Sequence, residues 1–119
     1  MQPTYLPWIG YFDLMDQSDI FVYYDDVKIT RSYWDVRNKI RTKSGDIFLT
    51  VPIKRNLPSN ELTFLKAEIN YETSWVNKHL KSIKQNYKNK YFNEVYPLFE
   101  KILTILPLLK YKITCILVI

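Results

Sequence analysis

Apolar residues at the start of the chain recur first at helical spacing and then at strand spacing. Between Pro7 and residue 17, aromatic and aliphatic residues return at three- and four-residue steps, which predicts a short amphipathic helix. We expect Trp8, Tyr11 and Phe12 of this helix to pack in the core. Residues 20–24 form a continuous run of β-branched and aromatic side chains, which is typical of a strand covered on both faces.

Two further strands and two further helices are predicted later in the chain. Residues 47–53 predict a strand that follows a turn at residues 43–46, and residues 64–69 indicate a weaker one. Residues 74–88, with Thr73 as N-cap, carry apolar residues on one helical face. Residues 91–106 repeat that pattern around Pro97, where a kink or restart is expected. The prediction is an α/β fold: an incomplete three-layer domain with a small, partly parallel sheet and three to four helices.

Composition narrows the classes of protein. A length of 119 residues allows one domain, and two glycines exclude the glycine-rich phosphate loops. One cysteine and one histidine exclude a structural zinc site and an intrachain disulfide, which favours a reducing, cytoplasmic setting. No apolar run reaches the roughly 18 residues of a membrane span, so none is expected.

Charge is segregated along the chain within a formal net charge of +5. Residues 1–26 hold five aspartates and no lysine or arginine, whereas residues 28–43 hold six basic residues against Asp35 alone. A basic block of this kind suits an anionic ligand such as a phosphate or a nucleic-acid backbone. A second lysine block at residues 78–90 is also consistent with an ordinary solvated helix face.

Two neighbouring carboxylates, Asp25 and Asp26, follow the predicted strand at residues 20–24. Ligands gather beyond the carboxyl ends of strands in open α/β sheets, and hard cations prefer oxygen ligands. The pair is therefore a candidate site for Mg²⁺ or Mn²⁺ bridging a diphosphate. The alternative is an acidic turn exposed to water.

The basic segment contains a candidate phosphate and stacking site. Arginines can grip phosphate with two parallel hydrogen bonds, and aromatic rings can stack on a base or a sugar. The candidate residues are Arg31, Trp34, Arg37, Asn38 and Arg41. Single-stranded RNA is recognised by the same residue types, so nucleic acid stays an alternative ligand. Tyr5 is a further candidate to face the ligand.

His79 is the candidate general base, because an unperturbed histidine titrates near neutral pH. The alternative is a hydrogen-bonded structural histidine on the edge of the apolar face of its helix.

Several blocks of the sequence closely resemble the WbqC-like protein family over about residues 1–105. The blocks are Gln2–Phe12, Asp19–Val27, Arg37–Thr42, Leu49–Pro52, Trp75 with Lys78–His79, and Tyr91–Phe92. The resemblance implies that residues 1–106 are the amino-terminal half of a family domain without its first strand. Residues 107–119 would then be a divergent apolar tail.

The resemblance also implies a pathway, since members of this family are associated with bacterial surface-polysaccharide (O-antigen) gene clusters. The implied activity is group transfer, of an amino-acid or acyl group among others, to a nucleotide-activated sugar or glycan precursor. Asp25 and Asp26 would hold a divalent cation and the arginines would hold phosphate, with His79 and Asp26 as catalytic candidates. The alternatives are a non-enzymatic module that binds RNA or another anion, and an inactive fragment.

Overall fold

The computed structural model describes residues 1–30 and 33–105, which form a mixed α/β fold. Its elements in chain order are α1 (Ile9–Asp16), β1 (Arg37–Thr42), β2 (Gly45–Thr50), α2 (Trp75–Asn86) and α3 (Phe92–Ile105). All three helices fall within the predicted ranges. α2 begins after Ser74 rather than Thr73, and α3 runs through Pro97 without a restart.

β1 and β2 form an antiparallel hairpin in which Arg37 pairs with Thr50 and Thr42 pairs with Gly45. Gly45 has a φ of 121°, a conformation that other residues rarely adopt, and this lets the chain reverse after Lys43 and Ser44. The sequence pattern did not predict β1, because Ile40 is the strand's only apolar residue.

The prediction of a partly parallel sheet is not confirmed, since the sheet within the described residues is this antiparallel hairpin. The weaker strand expected at residues 64–69 is also absent. Instead, two isolated antiparallel bridges occur near this segment. One joins Lys28 to Thr63 and the other joins Ile53 to Ile69. These isolated contacts fold residues 51–71 back over the core without forming a third strand.

The core lies between the hairpin, residues 51–71 and α2, and α3 adds one buried leucine. It is apolar apart from the histidine at its edge. Its hydrophobic members are Tyr5, Ile29, Val36, Ile40, Leu49, Val51, Leu62, Phe64, Ala67, Ile69, Trp75, Leu80 and Leu103.

The prediction of a buried strand at residues 20–24 is wrong. This segment is extended but has no strand assignment, and Ile20 is 82% exposed. Its backbone is hydrogen-bonded to Met1. The amino group of Met1 donates to the carbonyl oxygen of Val22 (2.7 Å), and the carbonyl oxygen of Met1 accepts from the N–H of Tyr24 (2.8 Å). One residue cannot cover two faces of a strand, so Ile20, Val22 and Tyr24 stay in solvent, while Phe21 and Tyr23 are half-buried.

Burial of α1 is confirmed for Tyr11 alone, whose ring packs on Phe21 rather than among the core residues above, because Trp8 and Phe12 are exposed. Exposed apolar side chains are concentrated at the start of α1 and in the segment after it, and we call them the N-terminal apolar surface: Trp8, Ile9, Ile20, Val22 and Tyr24.

No helix within the described part of the chain has the length and apolar character needed to cross a membrane. The predicted tail at residues 107–119 lies outside the described residues, as does Arg31.

Candidate functional site

Alternation along β1 separates its basic residues from its buried ones. Successive side chains of a strand point to opposite faces, so Arg37, Lys39 and Arg41 share one face and Ile40 enters the core from the other. The register places Phe48 opposite Lys39 on the basic face. We call this surface the basic–aromatic face; its members are Trp34, Arg37, Lys39, Arg41 and Phe48.

The rings and cations of the basic–aromatic face lie within contact distance of one another. The Cζ atom of Arg37 stands 4.2 Å from the centre of the Phe48 ring, and Nζ of Lys39 stands 5.2 Å from the same centre. The Trp34 and Phe48 ring centres are 5.9 Å apart, with their planes inclined by 52°. Both rings are exposed, so a planar ligand can stack on them beside two cations.

The charges of this face differ in their partners. Arg41 forms an ion pair with Asp46, the residue opposite it in the hairpin. Nε of Arg37 is buried and has no hydrogen-bond partner within the described residues. Arg37 therefore retains more capacity than Arg41 for an anionic ligand. Lys39 and Phe48 were not among the predicted residues. The alternation of charged and uncharged residues at 37–42 could have revealed Lys39, whereas the place of Phe48 follows from the hairpin register.

Asn38 lies on the opposite face from the arginines and fastens the N-terminal segment. Its Nδ2 donates to the carbonyl oxygens of Leu6 (2.7 Å) and Tyr5 (3.3 Å), and its Oδ1 accepts from the N–H of Lys39. These bonds hold Leu6 at a φ of 50°, which is strained for a residue with a side chain. The structure thus gives Asn38 a positioning contact rather than a place on the basic–aromatic face.

Tyr5 lies in the core rather than at a surface that faces ligand. Its side chain is 1% exposed, and its hydroxyl lies 2.8 Å from Nδ1 of His79. Burial raises the pKa of the Tyr5 hydroxyl, so it stays protonated at neutral pH. Its ring packs against Trp75 as well as His79, so the Tyr5 side chain contacts core residues and not the surface.

His79 is buried and links three parts of the chain. Burial lowers its pKa to about 4, and a hydrogen bond with the backbone of Thr50 opposes part of that shift. The ring is therefore neutral at pH 7. If its single N–H donates to the Thr50 carbonyl, Nδ1 is left to accept the proton of Tyr5. The imidazole thereby joins the N-terminal segment to β2 and α2, and in this state it accepts a proton from another donor only after the bond to Tyr5 breaks.

Asp25 and Asp26 were predicted to follow a buried strand, but residues 20–24 before them do not form one. Asp26 is exposed and Asp25 is half-buried, and together with residues 22–24 they line a shallow open hollow. Across residues 1–30 and 33–105, no group of three or more His, Cys, Asp or Glu side chains is gathered as a metal site. A cation held by these two carboxylates would have to draw its remaining ligands from a substrate or from water.

The comparisons with known proteins agree with the resemblance seen in the sequence. The sequence profile of the WbqC-like protein family matches residues 2–113, and the chain belongs to this family. A Mycobacterium tuberculosis (strain ATCC 25618 / H37Rv) protein named "Uncharacterized protein Rv1507c" is 33% identical over 87 residues, which are 73% of this chain. The aligned part is 37% of that relative's length. No solved structure matches the chain significantly.

Proposed function

We propose that this chain is part of a cytoplasmic group-transfer enzyme of bacterial surface-polysaccharide (O-antigen) biosynthesis. Its substrate would be a nucleotide-activated sugar or glycan precursor, and an amino-acid or acyl group would be transferred. The observation that carries the proposal is the basic–aromatic face, which combines stacking surface with cations on one side of a hairpin. Membership in the WbqC-like family supports the pathway.

Each part of the face has a role in this proposal. Trp34 and Phe48 stack on the base or sugar, because every base has a planar face and sugars pack on aromatic rings. Arg37 and Lys39 neutralise the diphosphate, and the planar guanidinium of Arg37 can donate two parallel hydrogen bonds. Arg41 contributes less, since Asp46 already neutralises it. Tyr5 and Asn38 support the face from within, by holding the N-terminal segment against β1 and α2.

Two expectations from the sequence stay predictions within this proposal. Asp25 and Asp26 would bind Mg²⁺ or Mn²⁺ together with the phosphate oxygens of the substrate. Proton transfer by Asp26 or His79 is also kept, with His79 acting only if ligand binding breaks its bond to Tyr5. Arg31 keeps its predicted role in phosphate binding, which nothing in the described residues bears on.

The test is calorimetric titration of the chain with UDP-glucose, with and without Mg²⁺. Arg37→Lys keeps the charge but loses the planar fork, so binding should weaken by about 1–2 kcal/mol, or roughly fivefold to thirtyfold. Arg55→Lys is the matched control, because Arg55 is an exposed arginine that is not part of the face. Equal affinities of the Arg37 variant and the parent would contradict a bidentate contact between Arg37 and phosphate. Unchanged Mg²⁺ dependence in Asp25→Asn/Asp26→Asn would contradict a metal site at these two carboxylates.

A non-enzymatic RNA-binding module is the second candidate, favoured by the same exposed rings beside Arg37 and Lys39. RNA binding releases counterions, so the affinity for a single-stranded oligouridylate would fall steeply as salt rises. Tighter, salt-sensitive and Mg²⁺-independent binding of the oligonucleotide, with no binding of UDP-glucose, would favour this candidate over the transferase.

A further inference from the structure

A cleft of about 360 Å³ separates β2 from α2 and meets the basic–aromatic face. A volume of this size lies within the range of small-molecule sites. Besides His79 and three apolar residues, its lining holds two aromatic rings, three hydroxyl-bearing residues and one lysine: Phe48, Trp75, Thr50, Thr73, Ser82 and Lys78. Because Phe48 lines the cleft and also belongs to the face, one ligand or two adjacent ligands can contact both.

The cleft lies beside the N-terminal end of α2. The N-cap residue Ser74 makes no side-chain hydrogen bond to the helix, and the first turn contains no acidic residue. The N–H groups of the first turn therefore lack the side-chain acceptor that helices commonly supply there. The positive end of the helix dipole lies at the same place. The free N–H groups and the dipole together favour binding of an anion there.

Two side chains of the cleft support the same conclusion independently of the helix end. Lys78 forms no ion pair with any described residue, so its charge is available. Trp75 is 4% exposed, and its Nε1–H is buried without an acceptor within the described residues. Buried donors are almost always hydrogen-bonded in proteins, so the orphaned indole N–H of a residue that lines the cleft is a sign of a missing acceptor.

We propose that this cleft binds the oxyanion group, carboxylate or phosphate, of a small ligand. Lys78 neutralises the charge of this group. One oxygen of the group displaces the contacts that cover the Trp75 indole and accepts a hydrogen bond from its Nε1–H. The apolar remainder of the ligand packs between Phe48 and Trp75. If the chain is a group-transfer enzyme, this ligand is the second reactant, held beside the nucleotide-activated one. Only that last assignment rests on the proposed function.

The experiment follows the indole N–H resonance of Trp75 in ¹⁵N-labelled chain during titration with inorganic phosphate and, separately, acetate. Ionic strength is held constant with chloride, and Trp75→Phe assigns the resonance. We expect a saturable shift of this resonance and about a tenfold weaker affinity in Lys78→Gln. Lys81→Gln is the matched control, because Lys81 lies on the same helix but does not line the cleft. It should stay within twofold of the parent.

The two probes distinguish the source of the oxyanion, since tighter acetate binding indicates a carboxylate ligand and tighter phosphate binding a phosphorylated one. An unmoved Trp75 resonance, or equal losses in Lys78→Gln and Lys81→Gln, would overturn the proposal. A chain that fails to bind UDP-glucose while the Trp75 resonance responds would overturn the proposed function and leave this site in place.

Discussion

The region formed by α1 and residues 20–24 is the richer in apolar residues of two regions of this chain, yet it is the less buried. The region formed by the hairpin, residues 51–71 and α2 buries most of its hydrophobic side chains in one core. In the region formed by α1 and residues 20–24, Tyr11 is buried and the N-terminal apolar surface stays in solvent. Apolar content alone therefore does not decide burial, which requires a second element to pack against.

The number of partner elements explains the difference. α2 carries its buried residues on one side, so the hairpin and α3 suffice to cover it. α1 exposes Ile9, Phe12 and Leu14 around a single buried tyrosine. A helix with apolar residues on several sides is typical of one that is surrounded on several sides. Within the described residues α1 has no such surroundings.

The largest expected contrast between the two regions is in stability. Phe64 is 0% exposed, so Phe64→Ala should lower the free energy of unfolding by about 3–5 kcal/mol through lost burial and a new cavity. Ile20→Ala is the matched change in the other region and should cost less than about 0.5 kcal/mol. Urea denaturation of both variants measures the two effects. Similar losses would mean that residues 20–24 are packed in solution after all.

A pH effect should come from the packed region alone. The pKa of His79 is about 4 in the folded chain and near 6.5 in an unfolded one, so the unfolded state binds the proton more readily between these values. Stability should be complete above pH 6.5 and fall by roughly 3 kcal/mol as the pH drops to 4. In His79→Gln this component should vanish. An unchanged slope in thermal melts of His79→Gln would place the histidine in contact with water.

Substitutions at the N-terminal apolar surface should have the smallest effect on stability and the clearest effect on self-association. Exposed apolar patches favour association, so the parent chain should self-associate at micromolar concentration. Ile20→Lys/Val22→Lys should reduce the apparent mass in light scattering while changing stability by less than about 0.5 kcal/mol. Gln85→Lys/Asn93→Lys adds the same charge at exposed polar positions and serves as the control. An equal reduction by the control would indicate charge repulsion alone.

The helices were predictable from the sequence because their period and punctuation are local. Pro7 precedes α1, and the apolar spacing of α2 and α3 gives their extents within two residues or so. The turn at Gly45 was equally visible. β1 was missed because charged residues occupy one whole face of it, although the strict alternation at 37–42 was present.

Burial and side-chain roles depend on distant partners, and for that reason the sequence did not show them. Nothing local distinguishes the apolar run at residues 20–24 from a central strand. Nothing in the neighbourhood of His79 shows that Tyr5, which is 74 residues away, lies 2.8 Å from its ring. The basic segment was predicted as a candidate site, but Asn38 faces away from Arg37 because the segment forms the strand β1, which the sequence pattern did not predict.

The strained Leu6 and its clamp have a consequence for the order of folding. Asn38 and His79 hold the N-terminal segment through hydrogen bonds to Tyr5. Asn38 is 33 residues away from Tyr5 in the sequence and His79 is 74 residues away, so neither hydrogen bond exists until the hairpin and α2 have formed. The left-handed turn at Leu6 is unfavourable without them. We therefore expect residues 1–6 to dock late, after the rate-limiting barrier. Weakening the hydrogen bonds of Asn38 and His79 to this segment should speed unfolding and leave the refolding rate almost unchanged.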